Sequence, residues 1–266
     1  MLPRSFATSS VTTSGSRPRT AALAPLLKSR GDTSLPHVSP CRSACWPDGC
    51  PRSLLWNYDR TELVIDGIVH GVGLGLALFG AATLLFLSGP HTAFKTASIL
   101  VYAGGLLAML GFSAAYNLWP VSPVKWRLRR FDQSAIFIFI AATYTPLIAQ
   151  LKSDAATVGT LIGVWMVAFV GVLLKSLLPG RFDRLSIGLC LLLGGSGFLL
   201  YEPALAALPG STLWLIAAGG ALYTIGIIFY LYESMRFQNA IWHAFVLIAA
   251  VCHYAAILNC GITTSA

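Results

Sequence analysis

Seven long apolar runs divide most of this chain into segments of membrane-spanning length. Each run has about 20 residues, and a helix of that length rises about 30 Å, the thickness of the hydrocarbon core of a bilayer. Hydrophobic residues make up 56% of the chain and charged residues only 11%, so a water-soluble domain would have to expose large apolar patches. The sequence therefore predicts an all-α, polytopic membrane protein with seven transmembrane helices. The predicted spans are 63–87, 96–118, 131–150, 156–178, 185–201, 212–232 and 240–260.

Lysine and arginine residues near the ends of these spans are distributed very unequally. Two of them, Lys95 and Lys152, fall on one side of the predicted topology, whereas ten fall on the other. Cytoplasmic loops carry an excess of basic residues, so the richer side and the N-terminus are predicted to be cytoplasmic. The same bias accounts for the net charge of +8, and we expect membrane lipids rather than nucleic acid as partners. The ten residues are Arg52, Arg60, Lys125, Arg127, Arg129, Arg130, Lys175, Arg181, Arg184 and Arg236.

The segment 1–55 differs in composition from the rest of the chain. It is rich in serine, threonine, arginine and proline, contains few acidic residues, and has no apolar run that could span a bilayer. We predict a disordered, basic N-terminal tail, followed by a seven-helix domain over 56–262. This composition is typical of an organelle transit peptide, but translation from a start codon upstream of the true one gives a similar composition. We expect the plasma (inner) membrane as host, or an organelle membrane if the tail is a transit peptide.

Polar and ionisable side chains occur inside several of the apolar runs. Such groups lose their hydration in the membrane and persist where they find partners inside the protein, so they indicate a functional site. Residues four apart share one face of a helix, and the predicted topology places these faces at the cytoplasmic ends of their helices. His253 lies about 15 Å deeper along the seventh helix and is expected elsewhere. We predict one cluster formed by Glu62, Asp66, His70, Ser113, Asn117, Asp132, Asn239 and His243.

Five sequence blocks around these residues occur in a characteristic order. The blocks are Glu62 with HGVG at 70–73, SAAYN at 113–117, FDQSAIF at 131–137, ATYTP at 142–146 and IWHAFV at 241–246. Together they resemble the haemolysin III-related proteins, which are related to the progestin and adipoQ receptors and, distantly, to the alkaline ceramidases. The resemblance covers nearly all of the membrane domain and implies seven transmembrane helices. In the wider superfamily it also implies a zinc ion held by three histidines near the cytoplasmic side, with a serine and an aspartate close by.

Two of the three implied zinc ligands are replaced in this chain. Asn117 stands where the resemblance implies a histidine on the second helix, and Asn239 stands where it implies one on the seventh, so that only His243 remains. An asparagine offers a neutral carbonyl oxygen, which binds zinc much more weakly than an imidazole nitrogen does. The three positions therefore form a degenerate zinc site, and we expect zinc binding to be lost or strongly weakened.

The sequence leaves three functions open for this cluster. It can be a metal-free hydrogen-bonded network that holds helices together, because asparagine amides both donate and accept. It can be a zinc-dependent hydrolase of a lipid amide or ester, in which Asp132 positions the attacking water and Ser113 stabilises the oxyanion. It can also serve sensing, transport or a haemolysin-like perturbation of the membrane. A continuous channel is disfavoured, because the fourth, fifth and sixth spans contain almost no ionisable residues.

Three glycines at four-residue spacing form a ridge of small residues on the first span. Gly67, Gly71 and Gly75 share one helix face, and such a ridge lets another helix approach closely. We expect this ridge to pack against a helix of the same chain or, alternatively, to mediate a homo-oligomer.

Overall fold

The computed structural model describes residues 59–87, 92–178, 183–232 and 234–263. This part of the chain contains helices and no strands, and seven helical segments are long and apolar enough to cross a membrane. The predicted all-α architecture with seven spans is therefore confirmed. The predicted tail at 1–55 lies outside the described residues. The helices are α1 (Arg60–Leu87), α2 (Ala93–Leu118), α3 (Pro123–Ile148), α4 (Ala155–Leu177), α5 (Asp183–Gly195), α6 (Tyr201–Ala207), α7 (Gly210–Leu231) and α8 (Gln238–Thr263).

Helix α3 begins at Pro123, well before the position 131 that apolarity predicted. The Ser122 side chain caps its first turn by accepting from the backbone N–H of Lys125, and proline is favoured in a first helical turn. The Lys125 ammonium group then donates to the carbonyl oxygens of Asn117 and Trp119, at 3.1 and 2.9 Å. The basic segment at the start of α3 can be helical because the buried Lys125 ammonium group satisfies the carbonyl groups at the end of α2.

The fifth span also extends beyond its predicted end at 201. Helix α5, a 3₁₀ turn at Ser196–Leu200 and α6 follow one another without a loop, and the span ends at Ala207. Pro203 lies in the first turn of α6, where a missing backbone N–H costs no intrahelical hydrogen bond. The hydroxyl group of Tyr144 from α3 lies 3.0 and 2.8 Å from the carbonyl oxygens of Leu193 and Gly194, where α5 ends.

Two apolar clusters form the core of the bundle. The larger joins α1, α2, α3 and α8 around Tyr102, whose side chain is fully buried. The smaller joins α3, α4 and α5 around Phe137. Helix α7 packs along α8. Residues of α2, α3, α5, α6, α7 and α8 line a cavity of about 1870 Å³ that is partly open to the outside of the bundle.

The glycine ridge on α1 is only partly used inside the chain. A Cβ atom at Gly67 would lie 3.3 Å from Leu118, whereas a Cβ atom at Gly71 or Gly75 would meet nothing within 4 Å. Both of the latter residues are exposed on the outer surface of the bundle. Packing within the chain therefore accounts for Gly67 alone.

Candidate functional site

Asp66 is the hub of the polar residues on the first and last helices. Its side chain is buried on α1, and its Oδ1 lies 2.7 Å from Nδ1 of His243 on α8. Its other oxygen, Oδ2, accepts a hydrogen bond from the amide of Asn239, at 3.1 Å. Asn239 and His243 lie four residues apart on α8, so both side chains reach the same carboxylate. One side chain therefore joins the beginnings of α1 and α8.

Helix α2 enters the same network through two residues that are also four apart. The amide oxygen of Asn117 accepts from Asn239, at 2.9 Å, and its amide nitrogen donates to the backbone carbonyl of Ser113, at 2.9 Å. The Ser113 hydroxyl group lies 3.2 Å from Nε2 of His70 and 3.5 Å from Nε2 of His243. The two asparagines that replace the implied zinc ligands thus contact each other directly.

His70 lies behind this network and is buried on α1. Its Nδ1 is 2.8 Å from the backbone carbonyl of Asp66 and must donate there, because a carbonyl oxygen can only accept. Its ring meets that of His243 edge-on, with 4.3 Å between the ring centroids. The other ring nitrogen of His70, Nε2, therefore faces the Ser113 hydroxyl group.

Asp132 on α3 faces the same cavity as Ser113, Asn117, Asn239 and His243. It lies well inside α3 rather than in the first turn that we predicted, because the helix begins earlier. The structure thus brings seven of the eight predicted residues together on α1, α2, α3 and α8. We call these seven residues the polar cluster: Asp66, His70, Ser113, Asn117, Asp132, Asn239 and His243.

Glu62 lines the same cavity, but its hydrogen bonds go to other residues than these seven. Its carboxylate accepts from the backbone N–H of Phe237 and from that of Asp59, both at 2.9 Å. Phe237 has a φ of 60°, a strained conformation for a residue with a side chain. Glu62 therefore fixes the start of α8 instead of joining the polar cluster.

Two neighbours of Glu62, Asp59 and Arg236, were not among the predicted site residues. Asp59 accepts from the backbone N–H of Glu62, at 2.9 Å, which completes a reciprocal capping box at the start of α1. Its carboxylate also pairs with the Arg236 guanidinium group, at 3.0 Å and exposed to solvent. The hydrogen bond from Glu62, followed by the contact with Arg236, lowers the pKa of Asp59 below its usual value. The sequence indicates this capping box through an aspartate three residues before a glutamate.

The residues at the three implied zinc positions do not match a zinc site. Only His243 offers an imidazole, and its Nδ1 is engaged by Asp66. The carbonyl oxygen of Asn117 already accepts from Asn239, whose amide also donates to Asp66. Structural and catalytic zinc sites use nitrogen, sulfur and carboxylate ligands rather than paired amides.

A different group of three residues offers better donor atoms for a metal. Ligand atoms of Asp66, His70 and His243 lie within 4.8 Å of one another, and a carboxylate with two imidazoles is a donor set that zinc accepts. In the structure these atoms are engaged in hydrogen bonds: Asp66 Oδ1 and His243 Nδ1 are 2.7 Å apart. Two ligands around a tetrahedral zinc are about 3.4 Å apart, so a metal would require this pair to separate.

The cavity of about 1870 Å³ opens from one side of the polar cluster. Its volume exceeds the roughly 300–1,000 Å³ of a site for a drug-sized molecule. Asp66 and His70 lie behind its wall. The apolar part of the wall includes Phe137, Ile140, Leu213, Ala217 and Val246, and the cluster residues that line it are Ser113, Asn117, Asp132, Asn239 and His243.

The comparison with protein families agrees with this architecture. The family described as haemolysin-III related matches residues 58–254, which include the whole polar cluster. The chain belongs to the haemolysin-III related family. It is 31% identical to a haemolysin-3 homologue of Bacillus subtilis over 187 residues, which are 70% of this chain and 88% of that protein. It is 30% identical to haemolysin-3 of Bacillus cereus, over 70% of this chain and 85% of that protein.

A human relative extends the comparison to receptor-related proteins. The chain is 27% identical to the human monocyte to macrophage differentiation factor over 190 residues, which are 68% of this chain and 76% of that protein. The sequence-based assignment to the haemolysin III-related family is confirmed. The protein is thus a multi-pass integral membrane protein that contacts lipids.

Proposed function

We propose that this haemolysin-III related protein binds a single-chain amphiphile inside its helix bundle and acts as a lipid sensor. The observation that carries the proposal is the cavity, which joins the polar cluster to a long apolar interior. An amphiphile has the same division, because its head group forms hydrogen bonds and its chain is apolar. The head group would contact Ser113, Asn117, Asp132, Asn239 and His243, and the chain would lie along α3, α7 and α8.

The position of the polar cluster supports sensing rather than storage. Four of the five residues that face the cavity also form the hydrogen bonds that join α1, α2 and α8. A head group that contacts these side chains would compete for the same donors and acceptors. Binding would therefore change how the helix ends are held together, which is the differential interaction that a sensor needs.

The proposal is tested by filling the cavity. A Cβ atom at Gly220 would meet nothing within 4 Å, and Gly220 lines the cavity. Gly188 is equally open but faces outward on α5. We expect Gly220→Phe to weaken binding of oleic acid to the full chain in nanodiscs by about tenfold or more, and Gly188→Phe to leave it unchanged. Equal binding by the two variants, or no binding by the native chain, would contradict the proposal.

A zinc-dependent hydrolase is the second candidate, favoured by the grouping of Asp66, His70 and His243. A metal there would supply an activated water beside Ser113 and Asp132, the two residues with candidate catalytic roles. This function is the weaker candidate, because the possible metal-ligand atoms of all three residues already form hydrogen bonds within the chain. Incubation of the purified protein with ceramide and added zinc tests it, and we expect no release of fatty acid. Release that is lost in Asp132→Asn would favour the hydrolase.

We also propose a cytoplasmic N-terminus in the plasma (inner) membrane. In a bundle with seven spans, the ends of α2, α4 and α7 lie on the same side as the start of α1, and this side carries Arg60, Lys125, Lys175 and Arg236. The positive-inside bias assigns that side to the cytoplasm. A single cysteine at Thr92 in a cysteine-free background should react with a membrane-impermeant reagent from outside the cell, and one at Ser122 should not.

The open part of the glycine ridge is a candidate contact between copies of the chain. Gly71 and Gly75 face outward with open space above them, so the ridge of a second copy could approach closely. Gly71→Leu with Gly75→Leu should then convert a dimer to a monomer in size measurements in detergent. A native monomer, or a dimer unaffected by both changes, would exclude this contact.

A further inference from the structure

Three basic residues lie in the cavity wall at the end of the bundle where α3 and α5 begin and α4 ends. Arg129 is on α3, Lys175 is in the last turn of α4 and Arg184 is in the first turn of α5, and all three line the cavity. The three helices pack on one another. Because consecutive spans run in opposite directions, the three residues lie at the same end. We call them the basic wall.

Two residues of the basic wall are buried, which the positive-inside bias does not explain. That bias concerns basic residues in loops and near the ends of spans, such as Arg127, which is exposed and does not line the cavity. Arg129 and Lys175 are only 8% and 6% exposed, and the Arg129 guanidinium group lies 5.4 Å from the ring centroid of Trp126. A buried cation in a membrane protein is costly and indicates a functional site.

The described charges at this end of the cavity favour an anion. Glu62 and Asp132 are the acidic residues among the described ones that line the cavity. Glu62 accepts hydrogen bonds at the starts of α1 and α8. Asp132 follows Arg129 by three residues, so the two share a face of α3. The basic wall therefore adjoins the polar cluster, and its three cations stand beside one carboxylate.

We propose that the basic wall binds a phosphate group on the head of the amphiphile. A phosphate monoester has three terminal oxygens and a charge of about −1.5 to −2 at neutral pH. It can therefore accept hydrogen bonds from three cationic side chains on three helices, whereas a carboxylate offers two oxygens and a single charge. The inference rests on the amphiphile-binding function above and names its ligand class, a single-chain lipid with a phosphate monoester head.

The experiment compares probes that differ in the head group or in the chain, on the full protein in nanodiscs of zwitterionic phosphatidylcholine, with empty nanodiscs as the reference. The probes are monooleoylglycerol phosphate, monooleoylglycerol and glycerol phosphate. We expect the native protein to bind monooleoylglycerol phosphate about tenfold or more tightly than monooleoylglycerol, because charge-assisted hydrogen bonds are the strong ones. Glycerol phosphate should bind much more weakly than the phosphorylated lipid, because it has no apolar chain to bury.

Substitutions in the basic wall have a matched control outside the cavity. Arg184 is exposed, so Arg184→Gln should fold normally and lower the preference for the phosphorylated lipid. Arg184→Gln with Lys175→Gln should bring the ratio of the two affinities close to one without changing the affinity for monooleoylglycerol. Arg127→Gln removes the same charge from an exposed position at the same end of the bundle, and it should leave the ratio unchanged.

The outcomes separate this inference from the proposed function. Equal affinities of the native protein for the two glycerol lipids, with oleic acid still bound, would overturn the phosphate site and leave amphiphile binding in place. A preference that survives both the single and the double substitution would also overturn it, because the phosphate would bind elsewhere. Binding of glycerol phosphate as tight as that of the phosphorylated lipid would overturn the lipid as ligand. If the native protein binds none of the acyl lipids, the proposed function fails and this inference fails with it.

Discussion

Helix α8 carries two histidines that differ in their partners. His243 has a partner at each ring nitrogen, because Asp66 contacts Nδ1 and Ser113 lies 3.5 Å from Nε2. Nε2 of His253 is buried and has no hydrogen-bond partner among the described residues. Buried polar groups in proteins are nearly always hydrogen-bonded. The contrast shows that the polar cluster satisfies its histidine with hydrogen bonds, whereas the His253 ring is held by packing against Gly219 on α7.

Removing the hub of the polar cluster should give the largest effect on stability. Asp66→Ala would leave the N–H groups of His243 and Asn239 buried without their acceptor, and His243 would then resemble His253. We expect a loss of about 3 kcal/mol in the free energy of unfolding, measured by denaturant titration in detergent. Asp66→Asn, which retains one acceptor oxygen, should lose less. A loss in Asp66→Ala no larger than that in Asp66→Asn would show that these hydrogen bonds do not hold the helices together.

Removing the space for His253 should give a smaller but specific effect. Gly219→Ala places a methyl group against the imidazole, and overpacking of this kind costs about 1–3 kcal/mol. Gly220→Ala adds the same methyl group to open space at the next residue, so it should be neutral or slightly stabilising because alanine favours a helix. The midpoints of thermal unfolding of the two variants give the comparison. Equal midpoints would mean that α7 and α8 are not in close contact at this level.

Removing the exposed Asp59 carboxylate before α1 should give the smallest effect on stability, and this effect should depend on pH. The lowered pKa of Asp59 means that its contribution to stability is complete above its ordinary pKa of about 3.9 and is lost as the pH falls through the lowered value. Asp59→Asn should therefore melt slightly below the native protein at neutral pH. The difference should shrink below about pH 4. A difference that grows in acid would contradict this sign, and with it the assignment of Asp59 as a capping carboxylate.

The sequence predicted the helices better than their ends. Apolar length identified all seven spans, but it reports hydrophobicity and not capping. The start of α3 at Pro123 depends on the Ser122 cap and on where Lys125 finds acceptors, and the last turns of the fifth span depend on Pro203 falling where no N–H is needed. Local hydrogen bonds decide where these helices begin and end, and the hydrophobicity of a segment carries no information about such bonds.

The polar cluster was largely predictable because its geometry is local. Pairs four residues apart on three helices and a shared depth are enough to bring Asp66, Asn117 and His243 together. Glu62 also forms a capping box with Asp59, and the sequence indicates this box only through the nearby Asp59. The packing of His253 against Gly219 was not predictable, since it depends on the register of α7 against α8.

We propose that hydrogen bonds within the polar cluster replace a zinc ion at this end of the cavity. Zinc per chain, determined by elemental analysis of detergent-purified protein, tests it most directly. The native chain should contain little zinc, and the double variant Asn117→His with Asn239→His should contain about one zinc per chain, because it restores three imidazoles to one site. Stoichiometric zinc in the native chain that is lost in His243→Ala would contradict the claim and place the hydrolase first.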